Sequence, residues 1–330
     1  MNLEALVTHL RRTSGITHKQ DIQGIASQLE TYNKNKDKDN KSILLGDDCA
    51  AIPDGDSYLL LATEGILPAF VASDPWFAGW CSVMVNVSDI YAMGGRTIAV
   101  VDTLWSQSVR ESIALWEGIQ AAAKAYDVPI VGGHTNCQSP YNALAVSILG
   151  RATHLLTSFD SQPGDRLLLA IDFAGQPYPN YTFWNAATEA DPIILRRNLN
   201  ILPQLAECGL CTAGKDISMG GIVGTVLMMM ETSGCGAILN VDSIPRPETV
   251  TLDWWLRCFP SFGFVLSVQP ENILSVQTYF NSQNIVCESI GTVNNSKQIH
   301  LQDDRGNIAL FWDLNQENFM GFTERIGNRE

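Results

Sequence analysis

Several acidic side chains of this chain stand beside a glycine or at the end of an apolar segment. Asp47 and Asp48 follow a glycine and an apolar triplet, Glu64 ends a predicted strand, and Asp216 precedes a glycine-containing segment that opens a helix. Adjacent carboxylates repel each other unless a cation lies between them, and hard oxygen ligands suit Mg²⁺. The pattern is therefore compatible with a magnesium site, while a solvated turn is the simpler explanation for Asp47 and Asp48 alone.

A second candidate lies on the predicted helix 75–93. Asn86 and Asp89 are three residues apart and share one face of a helix that is otherwise strongly apolar. Burying an amide or a carboxylate without a partner costs about 2 kcal/mol or more. Two interpretations remain open: a polar pair satisfied inside the fold, or a face that binds metal and phosphate.

The third candidate is the segment Gly132-Gly133-His134-Thr135, which follows the predicted strand 128–131. Paired glycines let backbone N–H groups approach an anion closely. His134 can donate to a phosphate or transfer a proton. A histidine after two glycines is more often an ordinary turn residue, so this motif alone is a weak signal.

These residues must be positioned by a mixed fold, because predicted strands and helices alternate after residue 42. The polar segment 33–41 cannot bury a core and is expected to be a mobile insertion or linker. The predicted class is α/β or α+β, with a division after residue 157 into domains 1–157 and 158–330. The predicted strands are 58–62, 97–104, 128–131, 143–151, 166–171, 237–241 and 263–268, and the predicted helices are 3–12, 21–30, 75–93, 109–126, 192–208, 222–232 and 271–282.

Composition narrows the class of partner. The net charge is −14, so phosphodiester backbones and anionic lipid surfaces are repelled and a small-molecule substrate is expected. The chain shows no secretory signal and no apolar run of the roughly 20 residues that span a bilayer. Eight cysteines without an export signal indicate reduced thiols and a cytoplasmic location.

Two motifs that could mislead are set aside. The segment 209–215 has the glycine and lysine spacing of a P-loop, but Asp216 stands where the metal-binding hydroxyl belongs, and a helix precedes it. Cys208 and Cys211 form a single CxxC without a second pair of ligands, so helix-end cysteines are favoured over a zinc or redox site.

Taken in order, the motifs resemble the superfamily of aminoimidazole ribonucleotide (AIR) synthetase, the PurM-like proteins, and especially its AIR-synthase-related branch. The superfamily also contains selenophosphate synthetase, thiamine-monophosphate kinase and the hydrogenase-maturation dehydratase. The matching segments are Gly46–Ala50, Ala62–Ile66, Asn86–Gly95, Gly132–Thr135 and Asp216–Gly221.

The resemblance implies a two-domain PurM-like fold. Its N-terminal domain would bind ATP and pair with that of a second copy, so that strands from both form a shared β-barrel in a homodimer. Its C-terminal domain would be an α+β sandwich. The implied cofactors are ATP and Mg²⁺.

The same resemblance implies roles for individual residues. The implied metal ligands are Asp47, Asp48, Glu64, Asp89 and Asp216. The implied nucleotide contacts are Lys19, Asp47, Asn86, Asp89, Gly132 and Gly133. The implied catalytic residues are Asp48, His134 and Asp216, with His134 as a proton donor or phosphate contact.

The implied activity is ATP-dependent transfer of the γ-phosphoryl group to an oxygen of a small, amide-like or phosphorylated substrate. Glu64 replaces the usual aspartate, and Met219 stands where thiamine-monophosphate kinases carry an acid. These departures motivate one alternative, a nucleotide-binding paralogue with reduced catalysis. The missing acid at position 219 counts against the other alternative, thiamine-monophosphate kinase itself, which a direct assay decides.

Overall fold

The computed structural model describes residues 2–34, 43 and 45–322. The chain forms two compact units, named here by their main sheets. The five-stranded unit comprises Ile43–Leu155 and Ala187–Glu207. The described residues of the seven-stranded unit fall within Met1–Ser42, Leu156–Ala186 and Cys208–Glu330. A domain division after residue 157 stays a prediction; the units differ from it in where the N-terminal helices and residues 187–207 belong.

Eleven α-helices occur in the part of the chain that is described. They are α1 (Leu3–Arg11), α2 (Ser14–Thr17), α3 (Gln23–Lys34), α4 (Pro68–Ser73), α5 (Pro75–Ala92), α6 (Val109–Tyr126), α7 (Pro192–Leu199), α8 (Ile201–Glu207), α9 (Gly221–Ser233), α10 (Leu252–Leu256) and α11 (Ile273–Asn281). Short 3-10 helices lie at His18–Ile22, Val241–Ser243 and Pro270–Asn272.

The strands form three sheets. They are β1 (Ala50–Asp54), β2 (Ser57–Ile66), β3 (Arg96–Trp105), β4 (Ile130–Asn136), β5 (Ala143–Ala152), β6 (Arg166–Ile171), β7 (Gln176–Pro177), β8 (Phe183–Asn185), β9 (Ala213–Asp216), β10 (Gly236–Asn240), β11 (Phe259–Pro260), β12 (Gly263–Val268), β13 (Val286–Asn294), β14 (Gln298–Gln302) and β15 (Ile308–Asp313).

The sheet of the five-stranded unit has the order β1-β2-β5-β3-β4. β5 is antiparallel to both β2 and β3, and β3 is parallel to β4. Strands β2, β3 and β4 therefore run in the same direction, and their carboxyl ends meet at one edge of the sheet. In open α/β sheets, ligands bind outside this edge.

Helix α5 covers one face of this sheet. A Cβ atom on Gly150 of β5 would lie 2.6 Å from Cγ2 of Ile90, so the helix and sheet are in direct contact there. Helix α6 packs against α5 at two glycines, because a Cβ on Gly79 would meet the Leu115 carbonyl and one on Gly118 the Trp76 carbonyl. This close packing buries nearly every residue of α5.

The seven-stranded unit has the order β15-β14-β10-β13-β6-β12-β9, with β7, β8 and β11 in a separate three-stranded sheet. The strands are mixed: β10 is parallel to β14 and antiparallel to β13. Helix α9 is buried throughout, and its Met228–Met230 run belongs to the hydrophobic core. No helix within the described ranges is both long and apolar enough to cross a bilayer.

Most predicted elements are confirmed, including the helix 109–126 and the strands 166–171 and 263–268. The single helix predicted over 192–208 is wrong, since α7 and α8 are separated at Asn200. Of the expected linker, residues 33 and 34 end α3, and 35–41 lie outside the described residues.

Candidate functional site

Two of the predicted acidic residues come together in the five-stranded unit. Asp48 and Asp89 each present a carboxylate oxygen, and these two oxygens lie within 4.8 Å of each other. Asp89 is buried and Asp48 is partly buried. Two ligands of one Mg²⁺ ion, each about 2.1 Å from it, must lie within about 4.2 Å of each other. The bound of 4.8 Å on their separation is therefore close to what two ligands of one divalent ion require.

The backbone before β1 places the first member of this pair. Gly46 has a φ of 90°, a conformation that residues with a side chain rarely adopt. The Asp47 carboxylate then accepts a hydrogen bond of 2.9 Å from the backbone N–H of Asp48. Because β1 is antiparallel to β2, the residues just before Ala50 approach the carboxyl end of β2, where Glu64 lies.

Helix α5 contributes the second member. The Asp74 carboxylate caps the helix by accepting from the backbone N–H of Phe77, as its position before Pro75 predicts. Asn86 is completely buried, and its amide donates 2.8 Å to the Ser82 carbonyl. Its Oδ1 has no hydrogen-bond partner among the described residues. An unpartnered buried acceptor three residues before Asp89 on the same helix fits the hard-oxygen donor set of a magnesium site.

Three strands bring further residues to the face of the sheet that α5 covers. Glu64 in β2 and Asp102 in β3 are both paired with Val146 of β5, and Gly133 in β4 is paired with Asp102. Directly paired residues point to the same face of a sheet. Glu64, Asp102 and Gly133 therefore form one row on this face, near the carboxyl ends of three strands that run in the same direction.

Glu64 is the exposed end of this row. Its carboxylate is not among the oxygens that cluster within 4.8 Å in the described part of the chain. The replacement of the usual aspartate by glutamate gives this side chain one more rotatable bond with which to reach an ion. Its role as a metal ligand stays a prediction.

The glycine pair does not follow a strand, and the prediction of a loop there is wrong. Residues 132–135 lie within β4, which pairs in parallel with β3. A Cβ on Gly133 would lie 2.2 Å from Oδ1 of Asp102, so the missing side chain at 133 makes room for this carboxylate. A Cβ atom on Gly132 would have no atom of another described residue within 4 Å, apart from its two chain neighbours. Only Gly132 therefore leaves open space for a ligand.

The side chain of His134 points to the opposite face of the sheet from Asp102 and Gly133. It is paired with Thr103, one residue beyond the row, so its side chain lies on the face of the sheet that α5 does not cover. Within this unit the structure does not bring His134 to Asp48 and Asp89. Its catalytic role stays a prediction.

Sequence reasoning missed Asp102, which is only 5% exposed. Burial raises the pKa of its carboxyl group, and a hydrogen bond from its own backbone N–H lowers it in part. The sequence carried a signal, since Asp102 alternates with Val100 and Leu104 in an apolar strand and so shares their buried face.

In the seven-stranded unit, Asp216 ends the edge strand β9 and is buried. The segment 217–220 then leads into α9. Gly221, the first residue of that helix, has a φ of 64°, and a Cβ there would lie 2.1 Å from the Leu256 carbonyl. Met219 is exposed within this segment, at the position where an acid was expected for a thiamine-monophosphate kinase.

The N-terminal segment packs on the residues that follow Asp216. A Cβ on Gly15 of α2 would lie 1.9 Å from the Met219 carbonyl oxygen, and one on Gly224 would lie 2.8 Å from the Ile16 side chain. Lys19 lies in the 3-10 helix His18–Ile22 directly after α2 and is partly exposed. Lys19, the predicted nucleotide contact, therefore comes four residues along the chain after Gly15, the residue that packs against Met219.

Comparison with known proteins identifies the family. The model for the AIR synthase related protein, N-terminal domain, matches residues 46–152, and the model for the corresponding C-terminal domain matches residues 162–304. This chain belongs to the AIR-synthase-related family. The resemblance found in its motifs is thereby confirmed.

One relative is similar over almost its entire length. The uncharacterized protein sll0787 of Synechocystis sp. is 52% identical over 322 residues, which cover 97% of this chain and 99% of the relative. The similarity to this relative therefore extends over nearly the whole chain and is not confined to isolated motifs.

Solved structures of the family share the fold. PurL of Thermotoga maritima in complex with ATP aligns with a TM-score of 0.69 at 17% identity, covering 85% of this chain and 47% of the PurL chain. Thiamine-monophosphate kinase of Stenotrophomonas maltophilia aligns with a TM-score of 0.59 at 19% identity, and the alignment covers 83% of this chain and 95% of the kinase chain. The chain thus spans about half of the PurL structure and has a two-unit PurM-like α/β fold with mixed sheets.

Proposed function

We propose that this chain is an ATP- and Mg²⁺-dependent phosphotransferase of the AIR-synthase-related family. It transfers the γ-phosphoryl group of ATP to an oxygen of a small, amide-like or phosphorylated substrate. The observation that carries the proposal is the pair Asp48 and Asp89, whose carboxylate oxygens lie within 4.8 Å of each other, with the buried, half-satisfied Asn86 three residues before Asp89 on α5. The ATP complex of the PurL relative supports the choice of nucleotide.

The proposed metal ligands are carboxylates. Asp48 and Asp89 hold the first ion, with Asp47 and Glu64 beside them on the same unit. Asp216 belongs to the other unit and enters the proposal through the order of the motifs alone. Bound Mg²⁺ supplies neutralisation of the charge on the triphosphate.

The remaining roles concern the nucleotide and the proton. Asn86 offers its unpartnered Oδ1, Gly132 leaves space for a close backbone contact, and Lys19 provides a cation for the phosphates. His134 is the proposed proton donor or phosphate contact.

In the transfer, an oxygen of the acceptor forms a bond to the γ-phosphorus. The bond from that phosphorus to the β,γ-bridging oxygen breaks, and ADP leaves with its electron pair. When the acceptor is an amide, the phosphorylated oxygen becomes a good leaving group for ring closure or dehydration. The chain's residues bind and orient the two reactants, which is the main contribution of a protein to this reaction.

We propose a cytoplasmic homodimer in which two five-stranded sheets meet through the face that α5 does not cover. Leu61 and Val101 point to this face and are 47% and 40% exposed, and Val131 in β4 is 65% exposed. Contiguous exposed apolar side chains on a sheet are typical of an association surface. A second copy is the occupant that the family's shared-barrel arrangement predicts.

The proposal is tested by following ATP hydrolysis and Mg-ATP binding with purified protein. Asp89→Asn is expected to reduce ATP hydrolysis at least about a hundredfold, because a ligand of the ion that neutralises the phosphates is lost. Asp56→Asn, at an exposed position in the β1–β2 turn, is the matched control and is expected to behave like the wild type.

Equal turnover by wild type and Asp89→Asn would refute the proposal. Tight Mg-ATP binding by the wild type without turnover on a panel of amide and amine substrates would instead establish the binding-only paralogue, which the exposed Met219 favours. A direct assay with thiamine monophosphate decides the remaining alternative.

A further inference from the structure

Asp102 is a buried acid without a structural explanation. It is 5% exposed, and its Oδ2 has no hydrogen-bond partner within the described residues. The donor on its other side is its own backbone N–H. A buried carboxylate without partners is costly, and folded proteins rarely keep one without a use.

Other buried acids of this chain are clearly structural. Asp165 accepts from the Gln162 backbone and from the Ser267 hydroxyl, at 3.0 and 2.8 Å. Glu231 accepts from three consecutive backbone N–H groups at 2.6 to 3.2 Å. Each of these carboxylates bridges elements of the fold through donors from other residues. Asp102 has no such donor in the described ranges.

The surroundings of Asp102 also favour access by a ligand. It lies in the row with Glu64 and Gly133, on the face of the sheet that carries α5 and near the carboxyl ends of β2, β3 and β4. The glycine at 133 leaves the space that this carboxylate occupies. A larger residue at 133 would exclude the carboxylate, so the two positions fit each other.

We infer that Asp102 binds a divalent cation on the α5 face of the five-stranded sheet, as an acidic ligand outside the 4.8 Å cluster that contains Asp48 and Asp89. This inference rests on the proposed function, because it extends the same site toward the glycine pair. A cation gives the buried oxygen the partner that the protein does not provide.

The test measures Mn²⁺ binding to the full chain by electron paramagnetic resonance of the free ion, together with the thermal midpoint of the metal-free protein. Four proteins are compared: wild type, Asp102→Asn, Asp89→Asn and the surface control Asp56→Asn. Asp102→Asn keeps the shape of the side chain and removes its charge. If it does not fold, Asp102→Ser replaces it.

We expect Asp102→Asn to weaken Mn²⁺ binding by at least about tenfold without lowering the thermal midpoint of the metal-free protein. Wild-type affinity in Asp102→Asn, with or without a lower midpoint, would overturn the inference and leave Asp102 a structural residue. If the wild type binds no Mn²⁺, or if Asp89→Asn binds it equally well, the proposed function itself fails. The two failures are therefore distinguishable.

Discussion

Gly15 offers a sharp test of how the N-terminal helices meet the segment after Asp216. Position 15 lies in α2, and a Cβ there would sit 1.9 Å from the carbonyl oxygen and 2.8 Å from the carbonyl carbon of Met219. Both atoms are backbone and cannot rotate away. The substitution Gly15→Ala therefore forces α2 and the 217–220 segment apart.

The size of the effect follows from two opposing terms. Restoring an ordinary contact of 3.4 Å requires the carbonyl to retreat by about 1.5 Å. Such overpacking costs about 1–3 kcal/mol, while alanine in place of glycine in a helix gains about 1 kcal/mol. A net loss of up to about 2 kcal/mol in the free energy of unfolding is expected.

Gly24→Ala is the matched control, since Gly24 also lies in an N-terminal helix and a Cβ there meets nothing within 4 Å. It is expected to stabilise the protein by about 0.5–1 kcal/mol. Urea unfolding of both variants measures the difference, which isolates the cost of the contact with Met219 because the helix propensity cancels. Equal stability of the two variants would refute the packing of α2 on this segment.

Two further predictions concern stability and assembly. Glu231→Gln replaces one carboxylate oxygen by an NH2 group, so either the N–H of Met320 or those of Phe319 and Gly321 lose their acceptor, and a cost of about 1–3 kcal/mol is expected at pH 4–5. Because burial raises the pKa of Glu231, the wild type loses stability as the pH rises through that pKa. Urea unfolding should therefore show that the difference in the free energy of unfolding between wild type and Glu231→Gln becomes smaller as the pH rises. A difference that grows with pH contradicts this prediction. Leu61→Glu is expected to convert a dimer into monomers in light scattering, whereas Ile193→Glu, at a more exposed position on α7, is not; a dimer in both variants rejects the proposed face.

Local pattern was sufficient for the elements that carry the acids. The cap at Asp74 and the apolar run after it predicted α5, and with it the shared face of Asn86 and Asp89. The order of the five motifs was enough to identify the family. The cap and the shared helix face depend on residues within a few turns of one another, where propensity and spacing act directly.

Pairing between distant segments decided the rest. Gly132 and Gly133 have little strand propensity, yet β4 runs through both because β3 supplies a parallel partner about 30 residues earlier in the chain. As a result of the same pairing, the side chain of His134 lies on the opposite face of the sheet from Asp102, and the Asp102 carboxylate lies next to Gly133.

The amino-acid sequence by itself therefore determined the family, the mixed α/β class and the residue types that can hold a cation. Only the tertiary structure decided which of them share a surface. It joined Asp48 to Asp89, added Asp102 to the row of Glu64, and set Gly15 against Met219. The physical reason is that hydrophobic burial and strand pairing act between segments far apart in the chain, and no local periodicity encodes their register.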